Sequence, residues 1–206
     1  MLITFEGLDY SGKSTQVQLL ADRLTLQDHH VLVLREPGGT DIGEKIRKML
    51  LDKNNDGMTE ASELFLFSAS RSQLIQEVVR PALDGGMVVI CDRYYDSTTA
   101  YQGFGRGIPL EVINAINKYA TGGLVPDVTF FLDIPIREIE KRMHSAKKNK
   151  DRMESNSIEF YERVRNGFLQ IAKTESRYCV IDGLQPIDDL HELIWQHITD
   201  TLMTQK

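Results

Sequence analysis

The chain has 206 residues, and its 24 lysines and arginines stand against 30 aspartates and glutamates, a formal net charge of −6. We expect a single domain over residues 1–206, because domains commonly hold about 100–200 residues, with a sizeable core from the 41% hydrophobic content. The pI near 5.4 argues against nucleic acid as a partner. No apolar run approaches the roughly 18–20 residues of a membrane helix, and no basic segment typical of a secretory signal precedes the first polar residue. We therefore expect no membrane partner and a cytoplasmic protein.

Five short apolar runs predict the strands of a sheet: Leu2–Phe5, Val31–Leu34, Met87–Cys91, Val128–Leu132 and Tyr178–Ile181. They are nearly continuous instead of alternating, which is typical of strands covered on both faces. Helical spacings of three and four lie between them, as at Val17, Leu20, Ala21 and Leu24. The alternation predicts an α/β fold, a parallel five-stranded sheet with helices on both faces. In such sheets ligands bind at the carboxyl ends of the strands.

Residues 7–14 fit the phosphate-loop pattern G-x-x-x-x-G-K-[ST] and lie between a predicted strand and a predicted helix. Backbone N–H groups of such a loop bind phosphate oxygens. Lys13 is expected to bridge the β- and γ-phosphates, and the Ser14 hydroxyl to ligate Mg²⁺. The loop thus predicts ATP binding by Gly7, Leu8, Asp9, Tyr10, Ser11, Gly12, Lys13, Ser14 and Thr15.

An acid follows the third predicted strand, where it would stand beside the bound phosphates. Asp92 ends the run Met87–Cys91, and Asp9 lies in the phosphate loop itself. We predict an Mg²⁺ site made by Ser14, Asp9 and Asp92, partly through water. Alternatively, Asp92 only caps the element that follows its strand.

Three arginines are candidates for holding an anionic second substrate. Arg35 and Arg93 each follow a predicted strand, and Arg71 lies in the helical pattern Thr59–Asp84. Phe67 and Arg71 are four residues apart and share one helix face, so the ring could stack on a base while the guanidinium bonds its edge. Taken in isolation, these two residues favour the alternative interpretation, in which Phe67 is a core residue and Arg71 a surface cation.

The polar segment 143–155 contains several basic residues and interrupts two helical patterns. It is either a solvated loop or a lid that closes over phosphates.

Several motifs together closely resemble the thymidylate kinases, in order along nearly the whole chain. They are Phe5–Asp9 (FEGLD), Arg35–Thr40 (REPGGT), the Phe67–Arg71 helix, Asp92–Gly103 (DRYYDSTTAYQG), Asp151–Glu154 (DRME) and Val180–Gly183 (VIDG). The resemblance implies a P-loop nucleoside monophosphate kinase. Such an enzyme transfers the γ-phosphate of ATP to thymidine 5′-monophosphate (dTMP), giving ADP and dTDP for dTTP biosynthesis.

The resemblance also implies roles for single residues. Arg93 and Arg35 hold the phosphate of dTMP, Phe67 stacks on thymine and Arg71 bonds its edge. Ser97 and Gln102 line the base pocket, Tyr101 packs on the sugar, and the backbone at Asp182 lies against adenine. The implied dTMP site is Arg35, Pro37, Phe67, Arg71, Arg93, Ser97, Tyr101 and Gln102, and a homodimer packed through helices is expected.

The sequence departs from the family in its catalytic arginine, which family members carry in the phosphate loop or among several in the lid. Here the loop has Tyr10, and the lid has Lys147, Lys148, Lys150 and a single arginine, Arg152. We predict Arg152 as the transition-state cation, assisted by the lysines; alternatively, Arg152 only orders the lid through Glu154 or Asp151. The predicted catalytic set is Lys13, Arg93, Asp92, Arg152 and Asp9.

Three other functions stay open at this point. A broader pyrimidine monophosphate kinase would differ only in discrimination of one methyl group. A nucleoside kinase would need a base near the 5′-hydroxyl, for which Glu36 is the candidate. A catalytically silent nucleotide-binding regulator could use the same fold as a switch.

Overall fold

The computed structural model describes residues 1–146 and 151–204, with side chains as far as Thr201. Its five strands are β1 (Leu2–Glu6), β2 (Val31–Arg35), β3 (Val88–Asp92), β4 (Val128–Asp133) and β5 (Tyr178–Asp182). All neighbours pair in parallel, in the order β2-β3-β1-β4-β5. The predicted α/β fold with a parallel five-stranded sheet is confirmed.

Helices connect the strands on both faces of the sheet. They are α1 (Lys13–Thr25), α2 (Asp41–Leu51), α3 (Glu60–Leu74), α4 (Arg80–Asp84), α5 (Tyr95–Thr98), α6 (Leu110–Thr121), α7 (Ile136–Ser145), α8 (Ile158–Thr174) and α9 (Ile187–Thr204). Two π-helical segments, Ile75–Val79 and Thr99–Gly105, continue α3 into α4 and extend α5. Among the residues described, no helix combines the length and apolarity needed to cross a bilayer.

Side-chain caps fix where three of the helices begin. The hydroxyls of Thr40, Thr59 and Ser157 each accept a hydrogen bond from the backbone N–H three residues later. Such caps satisfy backbone donors that have no partner within the helix. They therefore set the start of α2, α3 and α8 locally, from the sequence alone.

The core lies on both sides of the central strands. On one face, Phe5 and Phe130 pack with α1, whose Val17, Leu20 and Leu24 are buried as the spacing predicted. The other face packs against α3, α4 and α8. Packing on both faces holds the central strands in place and therefore fixes the positions of their carboxyl ends.

Burial on both faces holds for the central strands but not for the two edge strands. Val33 in β2 and Val180 in β5 are 42% and 48% exposed, whereas β1 is buried throughout. Edge strands have a neighbour on one side only, so fewer side chains cover them. The apolar sequence of these two strands therefore overstated their burial.

Candidate active site

The loop between β1 and α1 curls around the side chain of Lys13. Its Nζ donates to the carbonyl oxygens of Gly7 and Leu8 at 3.2 and 2.8 Å. Burial lowers the pKa of Lys13 to about 8, and Arg93 acts in the same direction, against Asp92 and Asp9. A buried cation is therefore held at the start of α1, where backbone N–H groups also favour anions.

Two glycines permit the turn of this loop. At Gly7 (φ +139°) a Cβ would lie 2.8 Å from the carbonyl oxygen of Leu132. Gly12 is left-handed (φ +97°) and directly precedes α1. Only glycine adopts these conformations without strain. The loop can therefore bring its backbone close to a bound phosphate.

The hydroxyl of Ser14 donates to Asp92 Oδ2 at 2.7 Å. The contact joins the first turn of α1 to the carboxyl end of β3, and Asp9 lies nearby in the same cavity. Burial raises the pKa of Asp9, but attraction to Arg93 and Lys13 outweighs this effect and lowers the pKa below its ordinary value. The structure thus brings together the three predicted Mg²⁺ ligands, a hydroxyl and two carboxylates, which suit a hard cation.

Arg93 follows β3 and turns back onto the phosphate loop. Its Nη1 donates to the Gly7 carbonyl at 2.8 Å and to Ser97 Oγ at 3.1 Å. Its Nη2 donates to Asp9 Oδ1 at 2.8 Å and to the Tyr101 hydroxyl at 3.4 Å. The Gly7 carbonyl therefore accepts from both Lys13 and Arg93, so these two cations stand side by side.

Glu6 is a part of the site that the sequence did not reveal as functional. It is fully buried at the end of β1, and its carboxylate accepts from Tyr94 N, Ser97 N and Ser97 Oγ. Burial raises the pKa of Glu6 to about 8, and Asp96 adds to this rise, while Ser97 and Arg93 oppose it. Its only sequence signal was its position at a strand end beside the phosphate loop.

Arg71 is buried, so the interpretation as a surface cation is wrong. Its Nη2 lies 2.6 Å from Glu36 Oε2 and its Nη1 donates to Thr98 Oγ1 at 2.9 Å. Arg71 Nε and Glu36 Oε1 are buried without a hydrogen-bond partner within the described part of the chain. Burial raises the pKa of Glu36, and the nearby Arg71 opposes this rise. An uncommitted donor and an uncommitted acceptor thus lie together at the wall of the cavity.

The remaining predicted acceptor residues lie around the same cavity. Phe67 shares it with Arg71, as their spacing predicted. Gln102 donates from Nε2 to Glu63 Oε1 at 2.9 Å, and Arg35 is half-exposed beside Glu44. The cavity measures about 580 Å³ and includes, of the predicted residues, Asp9, Tyr10, Ser11, Gly12, Lys13, Ser14, Thr15, Arg35, Pro37, Phe67, Arg71, Asp92, Arg93, Ser97, Tyr101 and Gln102.

Arg152 does not lie where a transition-state cation is required. Its Nη1 lies 2.7 Å from Glu63 Oε2 and its Nε donates to the Leu50 carbonyl at 2.7 Å. It is absent from the cavity lining, whereas its neighbours Asp151, Met153 and Glu154 belong to it. The alternative partners expected for Arg152, Glu154 and Asp151, do not hold its guanidinium either. Lys147, Lys148 and Lys150 lie outside the described residues.

Three further predicted residues do not line the cavity. Gly7 and Leu8 act through the carbonyls that hold Lys13. Asp182 ends β5 and accepts a hydrogen bond from Leu184 N, while the next carbonyl, that of Gly183, accepts from Arg142 Nη2 at 3.4 Å.

Sequence reasoning also missed several residues that line the cavity itself. Arg142 on α7 donates from Nη1 to the Tyr10 carbonyl at 3.2 Å, and Arg47 on α2 donates to the Pro37 carbonyl at 2.9 Å. Thr98 also lines the cavity. No local motif marks either arginine, and the contact of Arg142 joins segments 132 residues apart in the chain.

The comparisons with known proteins agree with this geometry. The family model for thymidylate kinase matches residues 5–194. The chain belongs to the thymidylate kinase family. It is 48% identical to the thymidylate kinase of Pelodictyon phaeoclathratiforme, covering 93% of this chain and 92% of that protein. It is 50% identical to that of Chlorobium chlorochromatii, covering 94% and 92%.

A solved structure also resembles the chain. The crystal structure of thymidylate kinase from Ehrlichia chaffeensis superposes with a TM-score of 0.78 at 36% identity, covering 97% of this chain and 98% of that one. The P-loop kinase fold and the family resemblance are thereby confirmed, and the thymidylate kinase reading is favoured over the three alternatives.

Proposed function

We propose that the cavity holds the phosphates of ATP and dTMP against each other. As a member of the thymidylate kinase family, the chain is an enzyme that transfers the γ-phosphate of ATP to dTMP and gives ADP and dTDP. One observation carries the assignment of the site: Lys13 Nζ and Arg93 Nη1 both bind the Gly7 carbonyl, at 3.2 and 2.8 Å. One cation belongs to the phosphate loop and the other follows the neighbouring strand β3, so two anionic groups can be neutralised side by side.

The ATP side is formed by the phosphate loop and the start of α1. Backbone N–H groups and Lys13 bind the phosphates of ATP, and Asp9, Tyr10, Ser11, Gly12 and Thr15 line that side of the cavity. The backbone at Asp182–Gly183 lies against adenine in this proposal. The contact between Arg142 and the Gly183 carbonyl connects that position to the phosphate loop.

Mg²⁺ would be held by Ser14 and Asp92, with Asp9 contributing, partly through water. Among the residues described, no group of three or more His, Cys, Asp and Glu side chains forms a complete metal site. Proteins usually bind Mg²⁺ by one or two carboxylates together with substrate phosphates, and Asp92 and Asp9 would be those carboxylates here. Held there by these residues, Mg²⁺ would supply positive charge to the phosphates.

The acceptor side holds dTMP by its two ends. Arg93, with Arg35 at the rim, binds the phosphate; Phe67 stacks on thymine and Arg71 bonds its edge. Pro37, Tyr101 and Gln102 complete the walls. Ser97 was expected in the base pocket, but its hydroxyl lies between Glu6 and Arg93, so we assign the base-pocket hydroxyl to Thr98, which contacts Arg71.

The transfer needs no general base. A phosphate monoester has a second pKa near 6, so the acceptor is already largely a dianion at neutral pH. The obstacle is the repulsion between two anionic phosphates, which fixed cations remove where charge develops. Lys13 and Arg93 supply two of them, and we propose Arg142, hydrogen-bonded to the Tyr10 carbonyl, in place of Arg152 as a third.

The whole chain, residues 1–206, acts as one kinase domain with a lid at about residues 143–155. Asp151, Met153 and Glu154 line the cavity, which supports a role of this segment in covering the phosphates and excluding water. Arg152 orders the segment by tying it to Glu63 and to the end of α2.

A homodimer packed through helices is also proposed. The adjacent helices α3 and α6 expose large apolar side chains, with Phe65 at 60% and Tyr119 at 90% exposure. Exposed apolar surface of this kind is typical of protein interfaces. Sedimentation of the full chain distinguishes the dimer from a monomer, and Tyr119→Glu should shift it toward monomer.

The activity is tested by ADP release from Mg·ATP with dTMP, dUMP, thymidine or no acceptor. We expect rapid turnover with dTMP and a roughly 10- to 200-fold lower kcat/KM with dUMP, since a hydrophobic pocket discriminates one methyl group by that much. Activity with thymidine alone would contradict the proposal and indicate a nucleoside kinase. ATP binding without turnover on any acceptor would indicate a regulator.

A further inference from the structure

Glu6 is a buried carboxylate with no part in the mechanism described above. Three donors converge on it: Tyr94 N at 2.8 Å and Ser97 N at 3.3 Å on Oε1, and Ser97 Oγ at 2.6 Å on Oε2. All three donors come from the residues that directly follow Arg93. Glu6 therefore anchors the turn that carries the arginine from the neighbouring strand β1.

The hydroxyl of Ser97 connects Glu6 to the guanidinium of Arg93. Ser97 Oγ donates its single hydrogen to Glu6 Oε2 and accepts a hydrogen bond from Arg93 Nη1 at 3.1 Å. Since a hydroxyl has one hydrogen and two lone pairs, this donation leaves the lone pairs of Ser97 facing the arginine. The carboxylate thus orients the acceptor to which Arg93 binds.

Arg93 needs such support because its backbone is strained. Its φ of +74° lies in the left-handed region, which side chains other than glycine adopt only when their surroundings enforce it. The backbone N–H of Arg93 is fixed on the Phe5 carbonyl at 2.9 Å. The strand before the turn and the carboxylate of Glu6 behind it together hold this conformation.

We propose that Glu6 and Ser97 are positioning residues that fix the Arg93 guanidinium for the phosphate of the acceptor nucleotide. The inference rests on the proposed function, in which Arg93 binds that phosphate. Neither Glu6 nor Ser97 touches the base in this proposal. Their loss should therefore weaken binding of dTMP but leave binding of thymidine, which has no phosphate, almost unchanged.

The main test compares Ser97→Ala with Thr99→Val. Thr99 is as buried as Ser97, two residues further on, and its hydroxyl bonds to the Tyr95 carbonyl and to Asn117 instead of to Arg93. We expect Ser97→Ala to weaken dTMP binding about tenfold, because hydrogen bonds to charged groups are the stronger ones. Thymidine binding and the KM for ATP should change less than twofold, and Thr99→Val should leave all three within twofold.

A double-mutant cycle with Arg93→Gln tests the positioning role of Ser97 separately from the proposed role of Arg93 in binding phosphate. We expect Arg93→Gln to weaken dTMP binding strongly and to spare thymidine, and Ser97→Ala to add no further loss in that background. Additive losses of dTMP affinity in the double variant would overturn the positioning role of Ser97 and leave the role of Arg93 intact. Equal losses of affinity for dTMP and thymidine in Ser97→Ala would do the same. If Arg93→Gln weakens the binding of dTMP and of thymidine equally, the proposed phosphate site is contradicted as well.

Glu6→Gln provides a second variant of similar shape. Its amide Nε2 would face Ser97 Oγ as a donor, so the hydroxyl could no longer give its hydrogen to position 6. At pH 9, above the pKa of Glu6 of about 8, the wild-type side chain is the ionised acceptor, and there we expect the same selective loss for dTMP over thymidine as in Ser97→Ala. A loss of ATP affinity equal to that of dTMP would contradict a role confined to Arg93.

Discussion

The two sides of the cavity are built in different ways. The strand-end side, lined by Lys13, Asp92 and Arg93 with Glu6 buried behind them, is fixed by the pairing of β1 with β3, which sets Phe5 opposite Asp92. The lid side, formed by Arg142, Asp151, Met153 and Glu154, is fixed by side-chain contacts between segments that are remote in sequence. The strand ends therefore provide a rigid set of charges, and the lid side depends on contacts that single substitutions can remove.

The difference explains which charges were predictable. In a parallel sheet, residues that follow neighbouring strands meet at one edge, so a strand-by-strand reading places Asp92 and Arg93 beside the phosphate loop. No such rule places Arg142 or Arg152. The following substitutions test whether function depends mainly on the strand-end side and stability on part of the lid side.

Lys13→Ala is expected to have the largest effect. It removes the buried cation that the Gly7 and Leu8 carbonyls hold, and we expect kcat to fall about 100- to 1000-fold, the usual cost of removing a fixed charge-stabilising donor. Steady-state kinetics with dTMP and ATP measure it, and Lys173→Ala, at an exposed lysine of α8, is the control. A fall in kcat of less than tenfold would show that catalysis does not depend on the charge of Lys13.

Arg142→Gln is expected to have the next largest effect, because Arg142 contacts the carbonyls of both Tyr10 and Gly183. We expect kcat/KM for ATP to fall about 10- to 100-fold, as for the loss of one or two hydrogen bonds from a charged group. Arg137→Gln, at an exposed position of the same helix, should change kcat/KM by less than twofold. Equal effects of the two variants would contradict the role given to Arg142.

Arg152→Gln should destabilise the protein while sparing catalysis. Glu63 would keep Arg106 and Gln102 as partners, so we expect the free energy of unfolding to fall by about 1–3 kcal/mol. We expect kcat/KM to change by less than threefold. Arg106→Gln should destabilise similarly, because it removes the other guanidinium on Glu63, and a large loss of kcat in Arg152→Gln would restore Arg152 as the transition-state cation.

The pH dependence of that destabilisation follows from Glu63. Burial raises its pKa, but hydrogen bonds from Arg106, Gln102 and Arg152 outweigh burial and lower the pKa below its ordinary value. The ionised carboxylate therefore contributes stability above its unfolded pKa, and this contribution is lost as pH falls through the folded pKa. Denaturant unfolding at pH 7 and at pH 3–4 should reveal a smaller gap between wild type and Arg152→Gln in acid.

The sequence predicted the five strands and the phosphate loop because their signals are local. An apolar run of five residues, or a glycine pattern before a helix, needs no distant partner to be recognised. The strand ends were placed by topology, which brought Arg35, Asp92 and Arg93 to one edge of the sheet. That Phe67 and Arg71 line the same cavity followed from their helical spacing.

What could not be predicted depends on contacts between distant segments. Arg152 binds Glu63 and Leu50, about 90 and 100 residues away, instead of a phosphate, and Ser97 on α5 donates to Glu6 at the end of β1. A motif locates such residues in the sequence, but it does not determine which acceptor a guanidinium or hydroxyl reaches. The exposure of Val33 and Val180 was also missed, because which strands lie at the edges of the sheet depends on the strand order, and local sequence does not determine that order.

Tyr10→Phe should have the smallest effect and tests the link between the two sides. The Tyr10 hydroxyl donates to Glu154 Oε1 at 3.1 Å, and Glu154 also holds Asp151 N. Removing this hydroxyl should cost about 0.5–1.5 kcal/mol of stability at most, as for one hydrogen bond. We expect KM for ATP to rise two- to threefold with kcat nearly unchanged, because the phosphate loop keeps its glycines and Lys13. Tyr161→Phe removes a hydroxyl from the Met153 carbonyl in the same segment without touching the phosphate loop, so it should lower stability and leave KM for ATP unchanged. If both variants raise KM for ATP equally, ATP binding depends on the order of the segment that contains Met153 and Glu154, and the hydrogen bond from Tyr10 to that segment has no separate effect.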